Sequence, residues 1–352
     1  MKKQSIAVLL LVGVLLPTLL FTSCAEQKNK YTAHSLDYFD TATTITGYET
    51  SQDQFDQVSK EILDELEQYH RLFTIYERFD GVNNLCVVNS LQDGVHPTVT
   101  VDRCVIDLLL YAQEMYRVTD GKMNIAMGGV LSLWHEYRTA GLDKPEAATL
   151  PPMDLLREAA KHTNIDALQI DEEHSTVWIS DPQTTLDVGA IGKGYAVEMV
   201  ARSLEGRGIA GYVINVGGNV RTVGTKPEGE HWIAGIEHPN DDEQSYVACL
   251  RLAGESLVTS GSYQRYYTVG DKTYHHIIDP QTLMPAEGYL SVSVVCKDSV
   301  MADALSTALF CMSQDEGYAL VESLSDTEAL WIMPDKTRHY SSGFEAYVTD
   351  LT

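Results

Sequence analysis

The sequence is short of positive charge: 25 Lys and Arg stand against 50 Asp and Glu, a formal net charge of −25. That balance argues against a nucleic-acid surface, which needs a basic stripe to neutralise phosphates. Paired cysteines are missing as well. Cys86, Cys104, Cys249, Cys296 and Cys311 form no C-x-x-C and keep no regular spacing, so neither a zinc site nor a disulfide framework is signalled. Their expected role is apolar filling. Internal repeats, low-complexity tracts and a long linker are absent beyond the N-terminus. Strands and helices alternate without a regular βαβ repeat, which excludes a doubly wound sheet and leaves α+β as the expected class.

The long apolar run is N-terminal. MKK is a short cationic start, and IAVLLLVGVLLPTLLF follows it, interrupted by Pro17. This reads as a targeting segment to be set aside from the fold. Thr22 and Ser23 then precede Cys24, resembling the site at which bacterial lipoproteins are cut and lipidated, although Phe21 stands where Leu is usual. The alternatives are a plain signal peptide or an uncleaved anchor helix, but Cys24 directly after the apolar run favours a lipoprotein: a signal peptide over residues 1–23, a lipidated Cys24 with a polar tether over 24–34, and a folded domain over 35–352. That domain would sit at the bacterial cell membrane, outside the cytoplasm. Without Lys2 and Lys3 the chain has 23 basic residues against 50 acidic, a net of −27, which keeps the domain itself off anionic membrane surfaces.

What is present is globular: 352 residues, 44% hydrophobic, enough for a well-filled core. Phe55, Val58, Ile62, Leu66, Tyr69 and Phe73 recur at steps of three and four, which predicts an amphipathic helix; Val105, Leu108, Leu109, Ala112 and Tyr116 predict a second. ALQIDEEHSTVWIS reads as a hairpin, as does SYQRYYTVGDKTYHHIID around its Gly-Asp turn. GYLSVSVVC alternates like a half-buried strand.

Three motifs carry chemistry. LDVGAIGKGYAVE, residues 186–198, passes from a short strand through a glycine turn into a helix, a geometry that brings backbone N–H groups close to a phosphate. Its G-x-x-G-x-G spacing is not the dinucleotide fingerprint, and Gly194 after Lys193 excludes a P-loop. The turn is either a connection or a phosphate cradle; Lys193 and Asp187 favour the cradle. INVGGNVRTVG, residues 214–224, taken alone is a bulge or tight turn. Ser260, Ser262, Tyr263, Arg265, His275, His276 and Asp279 crowd one hairpin and its exit, as in the wall of a site. Finally, MADALSTALF places Asp303 and Thr307 on one helical face. Either Asp303 caps the helix and Thr307 back-bonds to it, or the pair holds a metal ion such as Mg2+, which takes one or two protein carboxylates and completes its shell elsewhere.

In order and character, LDVGAIGKGYAVE, INVGGNV, VTSGSYQRYY, HHIIDPQTLMPA and ADALSTALF resemble the ApbE family, the FAD:protein FMN transferases, over about residues 36–335. The resemblance implies that FAD is split with Mg2+ at its diphosphate, that FMN is joined through a phosphoester to a Ser or Thr of an exported or membrane redox protein, and that AMP leaves. It implies metal ligands at Asp303, Thr307 and the Ala190 carbonyl, and FAD contacts at Phe39, Tyr76, Lys122, Met123, Asn124, Asp187, Lys193 and Ile278. His276, or Asp279 beside it, is the candidate base for the acceptor hydroxyl, against the alternative that both fix the loop before Pro280. Phe39-Asp40 replaces the family's usual Met-Gly, Asn124 a usual Asp, and Ser306 a carboxylate of some relatives; the common Ser-Glu pair after Tyr76 is missing. Competing functions are hydrolysis of FAD to FMN and AMP, and non-catalytic FAD binding.

Overall fold

The computed structural model describes residues 27–239 and 246–349. The expected signal peptide and Cys24 lie outside these residues. The chain opens with β1 (Asn29–Ser35), β2 (Thr43–Glu49) and α1 (Gln52–Phe73), followed by α2 (Leu85–Val88), β3 (Val99–Thr100) and α3 (Arg103–Val118). Next come α4 (Gly128–Asp143), α5 (Met153–Ala159) and the hairpin β4 (Leu168–Asp171) and β5 (Thr176–Ile179). α6 (Gly192–Gly206) leads into β6 (Tyr212–Val216), β7 (Asn219–Val223), β8 (Trp232–Glu237), β9 (Tyr246–Leu252) and β10 (Ser256–Gly261). The hairpin β11 (Tyr266–Val269) and β12 (Lys272–His275) precedes β13 (Ser291–Cys296), α7 (Ser299–Phe310) and α8 (Gln314–Ser323). β14 (Thr327–Ile332), β15 (Arg338–Tyr340) and β16 (Val348–Thr349) close the chain.

Eight strands form one sheet in the order β1-β2-β6-β7-β10-β13-β14-β15, antiparallel at every pairing. This is the mixed α+β architecture, with antiparallel sheets and flanking helices, that the sequence predicts. Period-two alternation feeds two cores from the central strands. Val292 and Val294 of β13 and Trp331 of β14 join the core built with α3 and α7, while Val295, Leu330 and Ile332 pack with Ile236 and Leu250 of the small β16-β9-β8 sheet. Beside them α1 and α6 bury Phe55, Ile62, Leu66, Val197 and Val200 against Ile45 and Ile214. Ser51 starts α1 by accepting the Gln54 N–H, as N-cap serines do.

Two expectations change. The proposed tether is partly strand: residues 29–34 belong to β1, which pairs along its whole length with β2. Tyr31 and Ala33 face inward, and Tyr31 stacks on Phe55 at 5.5 Å; the alternate Lys30, Thr32 and His34 are exposed and gave the segment its polar look. β13 is buried at all six positions instead of half-buried. Ser293 bonds Thr259 of β10 at 2.8 Å and Ser291 is fully buried, so serine at alternate positions does not mark solvent here. Among the described residues no helix is long and apolar enough to cross a membrane.

Candidate active site

A cleft of about 1360 Å3 opens between the α6–α7 layer and a second wall made by α4, the β11–β12 hairpin and the loop after it. A small core holds that second wall: Trp134 of α4 packs with Tyr267, Ile278 and Leu283, and its indole N–H donates to the Leu283 carbonyl at 3.0 Å. The start of α4 is pinned by Gly128, whose N–H donates to the Thr185 carbonyl; a Cβ there would lie 2.5 Å from that oxygen.

Phe39, Tyr76, Lys122, Met123, Asn124, Asp187, Ala190, Lys193, His276, Ile278 and Thr307 all line this cleft. Asp303 lies just behind the lining, 3% exposed. Neither commonplace role suggested for the Asp303–Thr307 pair applies. Asp298 caps α7, accepting from Val300 and Met301, and Ser306, not Thr307, bonds back to the Asp303 carbonyl at 2.9 Å. The Asp303 carboxylate instead takes the Gly194 N–H at 2.8 Å, Asn219 Nδ2 at 3.3 Å and Lys193 Nζ at 3.6 Å. Gly194 is obligatory for this approach, since a Cβ would sit 2.3 Å from the Ser299 carbonyl and 2.6 Å from Asp303 Cβ.

Gly194 lies in the first turn of α6, where backbone N–H groups have no acceptor within the helix. Asp303 supplies the acceptor that this N–H lacks, and among the described residues neither the Ala190 carbonyl just before the helix nor the Thr307 hydroxyl has a hydrogen bond. One carboxylate, one hydroxyl and one carbonyl, each with lone pairs to spare, form a hard-oxygen set that fits Mg2+. Among the described residues no group of three or more His, Cys, Asp or Glu could hold a metal ion.

Around this corner the glycine turn is tied down. Asp187 Oδ1 accepts the Gly189 N–H at 2.8 Å, and Lys193 Nζ donates to the Gly189 carbonyl at 3.2 Å. Burial raises the Asp187 carboxyl pKa, against the pull of that N–H, His135 and Lys193. Gly217 and Gly218, both at positive φ (55° and 88°), make the two-residue turn between β6 and β7 and line the cleft. A Cβ on Gly217 would overlap the Thr41 side chain at 2.3 Å.

The two adjacent histidines have opposite roles. His275 is fixed: Nε2 bonds the Ala286 carbonyl at 2.8 Å, Nδ1 accepts from Ile277, and its ring meets Phe310 edge-on. His276 lines the cleft, and among the described residues its buried Nδ1 has no hydrogen-bond partner. Burial, then Arg265, His275, Arg138 and Lys193, push its pKa down to about 3, so the imidazole is neutral. Asp279 does not orient it. That carboxylate pairs with Lys122 at 3.2 Å and accepts from Gln281, closing the loop before Pro285.

Asn124 donates to the Thr163 carbonyl and accepts from Ala126, a double role that an ionised Asp could not fill. Phe39 and Asp40 both adopt left-handed backbone (φ 57° and 51°), the conformation for which glycine is usual and Asp tolerable. Residues that sequence reading did not single out complete the cleft. Asn89 bonds both backbone groups of Leu186 at 2.8 Å. Leu131, His135 and Arg138 form one line along α4 into the cleft, and that i, i+4, i+7 spacing was the available signal.

Fold and site together define an α+β protein with a two-walled cleft, hard-oxygen donors in one corner and cations facing them, a chemistry suited to a phosphate-bearing ligand. The chain belongs to the ApbE family, whose profile matches residues 39–331. It is similar to the FAD:protein FMN transferase of Klebsiella pneumoniae (strain 342), 32% identical over 76% of this chain and 82% of the relative. A second such enzyme, from Treponema pallidum (strain Nichols), is 31% identical over 74% and 73% respectively. Among solved structures, the ApbE protein of Thermotoga maritima superposes with a TM-score of 0.78 at 26% identity, covering 92% of this chain and 100% of that one. The flavin transferase ApbE of Vibrio cholerae gives 0.75 at 25%, covering 91% and 99%.

Proposed function

We propose that this protein is an FAD:protein FMN transferase that joins FMN through a phosphoester to a Ser or Thr hydroxyl of an acceptor protein, releases AMP, and requires Mg2+ held by Asp303, Thr307 and the Ala190 carbonyl. The observation that carries the reading is the meeting of an unbonded Ala190 carbonyl, a cleft-facing Thr307 hydroxyl and the buried Asp303 carboxylate in one corner of the cleft. Bound there, Mg2+ would neutralise charge on the diphosphate. The chain's own groups do the rest. Lys193 faces the phosphates, Asp187 and residues 122–124 orient the dinucleotide, and neutral His276 accepts the proton of the acceptor hydroxyl as its oxygen attacks phosphorus. An anionic ligand beside His276 raises its basicity when it is needed. The cleft exceeds the ~300–1,000 Å3 of ordinary small-molecule sites, leaving room for an acceptor segment beside FAD.

The test is incubation of the protein with FAD, Mg2+ and exported redox proteins, followed by flavin fluorescence on a denaturing gel. Fluorescence on the acceptor supports transfer; free FMN and AMP alone would make the protein a hydrolase, and intact FAD a carrier. Anchoring through a lipidated Cys24 belongs to the same proposal, because it would hold the enzyme beside membrane redox proteins. Mass spectrometry of the mature N-terminus decides it: an unmodified Cys24 inside a longer chain overturns the anchor.

A further inference from the structure

We propose that Arg138 and Arg265 form a two-guanidinium clamp for the diphosphate, acting on the phosphate that leaves with adenosine. The proposal rests on the transferase reading and assigns two residues that it does not use. Both arginines line the cleft from separate elements of its α4 wall, Arg138 from α4 and Arg265 from the loop before β11. In a chain with twice as many acids as bases, neither has a carboxylate at ion-pair distance among the described residues. Arg138 contacts His135 Nδ1 at 3.0 Å, and Arg265 donates to the Asp40 backbone carbonyl at 3.0 Å. The other cleft cations are paired, Lys122 with Asp279 and Lys193 with Asp303.

Asp40, Glu136, Asp187 and Glu237 also line the cleft, so the lack of pairing is not for want of carboxylates nearby. Two guanidiniums turned toward one space repel each other; burial and then Arg265 disfavour the charged form of Arg138. A bound anion relieves both costs, and the planar fork of Arg matches phosphate oxygens two at a time. Lys193 serves the corner next to Asp303, where the transferred phosphate belongs. In the reaction the acceptor oxygen bonds to that phosphorus, its proton passes to His276, and the bond to the bridging oxygen breaks. The electron pair stays on the adenylate, where charge develops within reach of the clamp.

Calorimetric titration of the full chain with AMP and with adenosine tests this without any transfer reaction. AMP should bind at least about tenfold more tightly than adenosine. Arg138→Gln and Arg265→Gln should each weaken AMP about ten- to a hundredfold and leave adenosine unchanged. Arg138→Lys, which keeps the charge and loses the fork, should fall between and covers the case in which the glutamine variant does not fold. Arg157→Gln, on the outer surface of α5, should match the wild type. Equal affinity for AMP and adenosine, or AMP affinity indifferent to both arginines, overturns the clamp. If flavin transfer is absent but AMP binding still depends on the arginines, the transferase reading fails and the clamp stands; transfer with arginine-independent AMP binding fails the clamp alone.

Discussion

The two walls of the cleft are built in opposite ways. On the α6–α7 side, Asp303 is buried and held by Gly194, Asn219 and Lys193, and the elements that carry them are tied together. Glu198, 2% exposed, accepts the Ser299 N–H that opens α7 and pairs with Arg221 of β7 and Arg202 of α6. Helix start, strand and helix are thereby locked in one hydrogen-bonded network, and the glycine at position 194 lets them touch. On the α4 side, Tyr76 is 66% exposed and meets the His135 ring only at a tilt, the arginines have few partners, and the neighbouring Phe39 and Asp40 sit in left-handed backbone. The contrast assigns the labour. Chemistry that tolerates little displacement is mounted on packed elements, and recognition is mounted on side chains completed by what binds.

If the rigid wall carries the chemistry, its central carboxylate should show the largest effect. Asp303→Asn should lower transfer more than about 1,000-fold, the loss of several kcal/mol of charge stabilisation, while the melting temperature stays close to that of the wild type. Near-normal transfer by this variant at limiting Mg2+ would dissolve the distinction between the walls. His276→Gln comes next. Removing a general base should lower transfer by about 100-fold or more without changing FAD affinity. Parallel losses in binding and transfer would move His276 from proton transfer to cofactor positioning.

How much of each wall was legible follows from the same contrast. The α6–α7 wall rests on short-range signals: glycines at 189, 192 and 194, and a carboxylate and hydroxyl one helical turn apart in an apolar segment. Its decisive feature was not legible, because the capture of the Gly194 N–H by Asp303 joins residues 109 positions apart. The α4 wall offers only the i, i+4, i+7 spacing of Leu131, His135 and Arg138. GGVLSLWHEYRTAGLD begins with two glycines and mixes Trp, His, Glu and Arg, and only the packing of Trp134 against Tyr267 and Leu283 decides which of them face inward. β1 was missed for the inverse reason: an edge strand with one exposed face carries few apolar residues and reads as a linker. The small sheet over β13 was also invisible from β13 itself, whose serines face a second packed layer.

A more modest effect should come from the junction of the walls. Lys193 is partly exposed, donates to Gly189 and reaches Asp303, so it belongs to the rigid wall by position and to the ligand by charge. Lys193→Ala should weaken FAD binding or slow turnover about ten- to a hundredfold, the worth of one charge-assisted hydrogen bond. Unchanged affinity together with unchanged rate would reduce the glycine turn to a structural connection.

The smallest effect is on stability and separates His276 from its fixed neighbour. Its folded pKa of about 3 lies below the 6.5 of an unperturbed histidine, so between these values the unfolded chain binds a proton that the native cleft excludes. Unfolding is therefore favoured by acid: the contribution is fully present above about pH 6.5 and is lost as pH falls toward 3, with a slope of at most about 1.4 kcal/mol per pH unit for one proton. Urea unfolding at pH 7, 6 and 5 should show the wild type losing more stability over this range than His276→Gln. Carboxylates titrate identically in both proteins and cancel in the difference. Bound FAD should narrow the gap, because an anion beside the imidazole draws its pKa upward. Parallel pH profiles for the two proteins without ligand would mean that His276 is already solvated, and that the open wall is more open than its buried Nδ1 implies.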